Sequence, residues 1–496
     1  MQTPSPSDTP SAAHAEPQLR RVLKTRHLTM IAIGGAIGTG LFLASGAVIA
    51  QVGPGGAVLT YLLLGLMVYY IMTSLGELAA FMPVAGSFAT YASRYVDKGF
   101  GFALGWNFWF SWAVVVAVDL VASQLIMAYW FPDVPGIVWT VLFMFVMVGL
   151  NAISARSYGE AEYWFALIKV VAVVCFLIAG VGVLAGIIHT GSTPGFSNWT
   201  TGDAPFAGNL FTMMGVAMIA AYSFQGTELV AVAAGESENP RRNVPLAIRQ
   251  VFWRILLFYV LSIIVIAFLI PYTDPQLLRS DVTDVAVSPF TLVFQHAGLL
   301  SAATVMNAVI LTSVLSAGNS GMYAATRMLY NMAAEGLAPR VFGRLTRTGV
   351  PLYALLGTTA VASLCLLSSA YSPQAVYIWL LNLAGMTEFI VWLSIAVSHY
   401  RFRTGYVRHG HSLDALPYKA AAFPFGPLFA FSLCLLITLG QNYQAFLQDR
   451  INWMDVASTY LAIPLFLLLW AGYTVANKSS GWIRYRDMQF KPISAD

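Results

Sequence analysis

Charged side chains are scarce in this sequence. Only 10% of its 496 residues are Asp, Glu, Lys or Arg, whereas 58% are hydrophobic. A soluble domain carries about 25% charged residues. The shortage of charge, together with a mean hydropathy of +0.70, excludes a soluble globular protein and indicates an integral membrane protein.

Cysteine and histidine are also rare. The three cysteines, Cys175, Cys365 and Cys434, fall within apolar segments and have no metal-ligand spacing. We therefore interpret them as buried, small apolar side chains. The seven histidines form no arrangement typical of catalysis, and the sequence has neither paired catalytic carboxylates on one helix nor a phosphate-binding loop. These absences argue against an enzyme, a bound cofactor and a metal site.

Apolar segments long enough to cross a bilayer recur along the chain. A window of about 20 residues, the length of a spanning helix, predicts twelve spans. They lie at 28–50, 57–81, 103–129, 134–152, 162–188, 208–234, 250–271, 288–332, 351–369, 373–399, 422–440 and 454–475. The eighth segment is too long for one plain span, which predicts either a helix that extends beyond the membrane or a short surface helix before the span.

Lysine and arginine are distributed very unevenly about these spans. Of the 26 basic residues, we assign 23, Arg254 among them, to one side, and only Arg279 and Arg450 to the other. Lys169 is the only one assigned to the interior of a span. By the positive-inside rule both termini are cytoplasmic, so the net charge of +4 reflects topology and not a nucleic-acid partner. Residues 1–26 predict a disordered cytoplasmic N-terminal tail, and 477–496 a cytoplasmic C-terminal tail.

The first span contains a cluster of glycines, which weaken a helix. These are Gly34, Gly35, Gly38, Gly40 and Gly46. One interpretation is close packing against another helix through small residues. The other is a helix interrupted at Gly38-Thr39-Gly40, whose freed amides bind an anion such as a carboxylate.

The sixth span supports the second interpretation. Its apolar run is interrupted by the polar stretch SFQGTE, Ser223 to Glu228. Paired breaks in two five-helix halves that run in opposite directions are typical of inverted-repeat transporters. The predicted fold is therefore an all-α integral membrane protein with twelve transmembrane helices. A five-plus-five inverted repeat with broken first and sixth helices occupies 27–399, and two further helices occupy 400–476.

Longer motifs extend from Leu19 to about Arg486. Among them are RHLTMIAIGGAIGTGLFLASG, GELAAFMPVAGSFATY and SFQGTELVAVAAGESENPRRNVP. With these motifs the sequence resembles the amino acid–polyamine–organocation superfamily, in its bacterial amino acid transporter branch. The resemblance implies a secondary transporter of the bacterial inner membrane that imports L-lysine with protons by alternating access. Arginine, ornithine, histidine or a neutral amino acid, transport by exchange, and an added sensing role with an unknown regulatory membrane partner remain alternatives.

The two breaks are where such a transporter would bind its substrate. We expect the substrate carboxylate on the amides of Gly38, Thr39 and Gly40, and its ammonium on carbonyls freed in the sixth span. Four residues, Ser111, Trp112, Tyr222 and Phe224, are expected to surround the side chain. The predicted binding residues are Ile37, Gly38, Thr39, Gly40, Ser111, Trp112, Tyr222, Ser223, Phe224, Gly226, Thr227 and Glu228.

Two ionisable residues inside the spans are candidates for proton coupling. A charge at bilayer depth is costly unless it is paired or hydrated. Glu228 is interpreted as a partner for a cationic substrate or a proton carrier, because a carboxylate shielded from water can bind a proton near neutral pH; a structural acceptor for the unwound first helix is the alternative. The resemblance implies that the Lys169 ammonium replaces the sodium ion of related transporters and couples transport to protons. A lysine that snorkels to the interface is the alternative.

The remaining candidates are less specific. Asp119 is interpreted as a ligand for the substrate ammonium, a guard at the outer entrance or a helix–helix hydrogen-bond partner. Glu77 is interpreted as structural. Glu388 departs from the family's usual small residue, and we interpret it as a local ion-pair partner. Further polar ligands for a distal ammonium are possible on the eighth span at Ser313, Ser316 and Asn319.

Overall fold

All regular structure in the described part of the chain is helical. The computed structural model describes residues 37–38, 40–84, 87–128, 130–153, 155–188, 195–228, 240–274, 277, 288–296, 298, 300–442, 446, 453–479 and 481–490. The predicted tail 1–26 and Thr39 lie outside these ranges.

The α-helices are numbered here in chain order. They are α1 (Ser45–Phe81), α2 (Ser87–Tyr95), α3 (Lys98–Met127), α4 (Gly136–Ile153), α5 (Ala155–Leu184), α6 (Leu210–Tyr222), α7 (Pro240–Arg254), α8 (Leu261–Leu269), α9 (Pro289–His296), α10 (Leu300–Ala334), α11 (Leu352–Ala362), α12 (Pro373–Arg408), α13 (Phe425–Gly440), α14 (Trp453–Tyr460) and α15 (Ala462–Ala476). A π-helix, Gly40–Ala44, precedes α1, and another, Ile255–Val260, joins α7 to α8.

Many of these helices have the length and composition of membrane spans. Within the described ranges, seven helical segments are long and apolar enough to cross a bilayer, and α6, α13 and α15 are shorter apolar helices. The prediction of an all-helical membrane protein is confirmed. The total of twelve spans stays a prediction.

The first two predicted spans are joined in the structure. Helix α1 contains the end of the first span and all of the second, with a kink at Gly53, where φ is 73°, followed by Pro54. The segment before α6 enters this kink, because Gly55 N donates to Pro205 O at 2.8 Å and Ala207 N donates to Val52 O at 3.0 Å. The kink therefore separates two helical arms, and the π-helix Gly40–Ala44 leads into the shorter one.

The long eighth segment is two helices, α9 and α10. The expectation of a short preceding helix is right, but its surface location is wrong. Phe290 is fully buried, with its ring centroid 5.0 Å from that of Phe42 and 4.3 Å from that of Phe176. The apolar face of α9 explains its burial, because aromatic side chains of this size contribute most of a core's packing.

Helix α3 is the central element. It packs against α10, α12 and α15, and it is apolar all round, as expected of a helix surrounded by others. Its N-terminus is capped by Asp97, whose Oδ1 accepts from Phe100 N at 2.9 Å and from Trp470 Nε1 of α15 at 2.7 Å. The cap therefore also joins α3 to α15.

The cysteine prediction is partly wrong. Cys365 and Cys434 are buried as expected, but Cys175 is exposed on α5. Its neighbours Val171, Val174 and Ile178 are also exposed. An exposed apolar face of this kind suits contact with lipid, so an apolar residue in a spanning helix need not lie in the protein core.

Candidate functional site

The first break lies just before the π-helix. Ile37 and Gly38 are buried and non-helical, and a π-helix begins at Gly40. Gly38 O accepts from Phe42 N at 3.2 Å, and Ile37 O accepts from Ser313 Oγ of α10 at 2.9 Å. A non-helical stretch therefore lies at the predicted position, directly before the π-helix. Thr39, the middle residue of the predicted anion site, lies outside the described residues.

The second break follows α6, which ends at Tyr222. From Ser223 to Glu228 the chain continues as successive tight turns, in which Phe224 N donates to Ala221 O at 2.9 Å and Thr227 N to Phe224 O at 3.4 Å. Gly226 has a φ of 92°, a conformation that a side chain disfavours. An α-helix cannot continue through such a residue, so the predicted interruption of the sixth span is present.

The two breaks lie against each other. A Cβ atom on Gly40 would be 2.6 Å from Ser223 N, so only glycine permits this approach. Ser223 Oγ also lies 3.1 Å from the hydroxyl of Tyr61 on α1. The residues predicted to bind the two ends of an amino acid are thus neighbours, although the Ser223 hydroxyl already has a partner.

The residues expected to surround the side chain of the substrate do not all line one common pocket. Ser111 Oγ donates to Ala384 O of α12 at 3.5 Å, and the Trp112 ring lies against Gly321 of α10. The Phe224 ring instead stacks on Tyr259, with centroids 4.7 Å apart. Phe224 therefore packs toward the segment that joins α7 and α8, whereas Ser111 and Trp112 face α12 and α10.

The polar residues of α10 contact several helices. Ser313 bonds to the first break, as described above, and Asn319 Oδ1 accepts from Asn151 Nδ2 of α4 at 2.9 Å. The amide nitrogen of Asn319 has no hydrogen-bond partner among the described residues. Ser316 is fully buried and has an interaction of its own.

Two buried residues of opposite charge lie on α3 and α5. Lys169 and Asp119 are both buried, and they are close enough for the Lys169 charge to act on the carboxyl group of Asp119. Neither carboxylate oxygen of Asp119 has a hydrogen-bond partner within the described ranges. Complete burial of the Lys169 ammonium disfavours the snorkelling interpretation, which requires the ammonium to reach the interface.

A second group of buried charges surrounds the sixth-helix break. Glu228 Oε1 accepts from Gly226 N at 3.2 Å, and Gln225 Nε2 donates to Glu388 Oε2 of α12 at 3.4 Å. The carboxyl groups of Glu228 and Glu388 are within reach of each other. The structure thus places Glu388 at the break.

Arg254 corrects the assignment of basic residues. It is 2% exposed at the end of α7, and its charge acts on Glu228, so Lys169 is not the only basic residue inside the protein. Sequence reasoning missed it because Arg254 was grouped with cytoplasmic arginines. The signal was its apolar flanks in VFWRILLFYV, which are unlike those of a residue in a polar loop.

Glu77 lies apart from this site. Its carboxylate is 3.2 Å from His399 Nε2 and 3.2 Å from Arg403 Nη1, both on α12, and it accepts from Ala420 N at 2.6 Å. These contacts join α1, α12 and the loop before α13. They agree with the structural role predicted for Glu77.

Comparison with known proteins identifies the family. The amino acid permease family model matches residues 27–480. The chain belongs to this family. This permease is 65% identical to the lysine-specific permease LysP of Escherichia coli over 474 residues, which cover 96% of this chain and 97% of the relative. It is 48% identical to the lysine-specific permease LysP of Lactococcus lactis, with coverage of 95% and 92%, and 47% identical to the histidine permease HisP of the same organism, with coverage of 92% and 95%.

These relatives confirm the family to which the sequence motifs pointed. The permease is a multi-pass inner-membrane protein that transports amino acids, and it is not an enzyme. We therefore interpret three features as parts of a transport site: the two breaks, the buried carboxylates and Lys169.

Proposed function

We propose that this permease imports L-lysine together with protons by alternating access. The observation that carries the proposal is the 65% identity with a lysine-specific permease over nearly the whole of both chains. A buried acidic group at the break agrees with it, because a substrate with a cationic side chain needs an acceptor to offset its desolvation.

The substrate is proposed to bind between the two breaks. Its carboxylate binds the amides at Gly38, Thr39 and Gly40, and its α-ammonium binds main-chain groups of the turns between Ser223 and Thr227. The side chain extends toward Glu228. The contact between Gly40 and the Ser223 backbone supports this arrangement, because one small molecule can then reach both breaks.

Proton coupling is proposed to use Lys169 and Glu228. Burial favours the neutral form of a lysine and of a carboxylate, so each group can gain and lose a proton during transport. Asp119 is the charge partner of Lys169 in this proposal. Both carboxylate oxygens of Asp119 lack hydrogen-bond partners among the described residues, which supports an electrostatic role over a helix–helix hydrogen bond.

The topology completes the proposal. Twelve helices span the inner membrane, and those within 27–399 form the five-plus-five repeat. The helices of 400–476 are additional, and the tails 1–26 and 477–496 are cytoplasmic. The distribution of basic residues and the opposed breaks support this topology.

Uptake of radiolabelled lysine into liposomes that contain the purified permease tests the function. With an inward proton gradient and no sodium, we expect lysine to accumulate, a protonophore to abolish accumulation, and unlabelled lysine to compete better than arginine, ornithine or histidine. Lys169→Gln should abolish gradient-driven accumulation but retain exchange of labelled for unlabelled lysine. Uptake that ignores the gradient, or that requires preloaded amino acid, would instead show an exchanger.

Histidine is the second candidate substrate. The 47% identity with a histidine permease favours it over other amino acids as an alternative. Stronger competition by histidine than by lysine in the same assay would identify histidine as the substrate.

A further inference from the structure

Two buried glutamates approach each other where the sixth-helix break meets α12. Glu228 is fully buried and Glu388 is 3% exposed, and their carboxyl groups lie within reach of direct interaction. Hydrogen bonds from α3 to α12 hold this part of α12 in place, since Asn107 Nδ2 donates to Thr387 O at 2.8 Å. The backbone beside Glu388 is thus anchored to α3.

Each carboxylate has one oxygen with a donor and one without. Gly226 N donates a hydrogen bond to Glu228 Oε1, and Gln225 Nε2 donates one to Glu388 Oε2. Glu228 Oε2 and Glu388 Oε1 have no hydrogen-bond partner among the described residues. Two ionised carboxylates are both acceptors, so they cannot satisfy each other, and a donor is needed between them.

The charges nearby leave the pair with an excess negative charge. The Arg254 guanidinium acts on Glu228 from the α7 side, and one guanidinium balances one carboxylate. The indole of Trp392, one helical turn beyond Glu388, lies beside both carboxyl groups. An indole has one N–H donor and no acceptor, so it can donate to only one of these oxygens and leaves room for a further donor.

We propose that Glu388 is a specificity-determining residue that, together with Glu228, binds the side-chain ammonium of the substrate. This inference rests on the proposed lysine transport. An ammonium has three N–H donors, of which two reach the unpartnered oxygens, and its charge balances the second carboxylate. A shared proton would supply only one hydrogen bond.

Ligand affinity in a Glu388→Gln variant tests the proposal. The variant keeps the size of the side chain and removes its charge. Lysine affinity is measured with purified protein by radioligand binding, and norleucine, which has the same carbon chain without the distal ammonium, is measured by competition. We expect lysine to bind about 10- to 100-fold more weakly, the usual effect of losing one charged hydrogen bond, while norleucine affinity stays the same. Glu388→Asp, which keeps the charge, should recover part of the lysine affinity.

Glu335→Gln is the matched control, because Glu335 lies just beyond α10 and is exposed. Three outcomes would overturn this inference without affecting the proposed function. They are unchanged lysine affinity in Glu388→Gln, equal losses of affinity for lysine and norleucine, and a failure of Glu388→Asp to recover lysine affinity. Equal shifts in the pH dependence of both ligands would assign Glu388 to a proton instead. Failure of the wild-type permease to bind lysine would overturn the proposed function as well.

Discussion

At the scale of single residues, several residues of the proposed site carry buried polar atoms without hydrogen-bond partners. The large majority of buried polar groups in proteins are hydrogen-bonded. In the described part of this permease, atoms of Asp119, Glu228, Thr227, Glu388 and Asn319 have no such partner. These atoms are available to a polar, charged ligand.

Gly40→Ala tests the contact between the breaks. The added Cβ would lie 2.6 Å from Ser223 N, and backbone cannot move aside as a flexible side chain can. Overpacking of this kind costs about 1–3 kcal/mol, so we expect lysine binding to weaken by about tenfold or more. Binding is measured on purified protein by the same radioligand assay.

Gly215→Ala provides the matched control, because Gly215 is in α6 and an added Cβ there meets no atom within 4 Å. It should bind lysine like the wild type. Wild-type binding by Gly40→Ala would show that the close approach of the breaks is not needed for the site.

Some residues of the site were accessible from the sequence, and others were not. Gly38, Gly40 and Glu228 interrupt apolar runs, so their positions alone predicted the breaks. The environment of Arg254 and the approach of Glu388 to Glu228 depend on how distant helices pack. Residues 225 and 388 come together only in the folded chain, and no local pattern predicts that contact.

At the scale of elements, Glu77 connects two helices and a loop. It bonds to Ala420 N of the loop, while Arg403 Nη1 of α12 donates to Ala420 O at 3.1 Å. The carboxylate is fully buried and the arginine is 6% exposed. The end of α1 therefore depends on a buried ion pair for its attachment to α12.

Glu77→Gln should destabilise the permease. Removal of one partner from a buried ion pair leaves the other charge uncompensated, at a cost of about 3–5 kcal/mol. We expect a clearly lower apparent melting temperature in detergent, measured by intrinsic fluorescence. A melting temperature equal to that of the wild type would contradict the stabilising role.

Lys419→Ala is the control in the same loop. Lys419 lowers the pKa of Asp414 through their ion pair, but both side chains are exposed. Exposed pairs contribute little to stability, so this variant should melt like the wild type.

The sequence predicted spans better than their connections. The fourth predicted span, 134–152, agrees closely with α4 (Gly136–Ile153), because its apolar run ends in polar residues. The boundary between the first two spans was harder to predict. Gly53 changes the chain direction while helical hydrogen bonding continues on both sides, and hydropathy does not report backbone direction.

At the scale of the whole molecule, α3 brings distant parts of the chain together. It contacts α10 and α12, and these three helices, with the two breaks, surround the proposed site. The residues involved are separated by up to hundreds of positions in sequence, as in the bond from Asn107 to Thr387 O. A site at the meeting point of several helices is what alternating access needs, because movement of one group of helices can open either side.

An experimental structure with lysine bound tests this account most directly. The account predicts density for one lysine between the two breaks, with its carboxylate at Gly38 to Gly40 and its side-chain ammonium between Glu228 and Glu388. Lysine bound elsewhere, or in this site with its side chain directed away from Glu228, would contradict it.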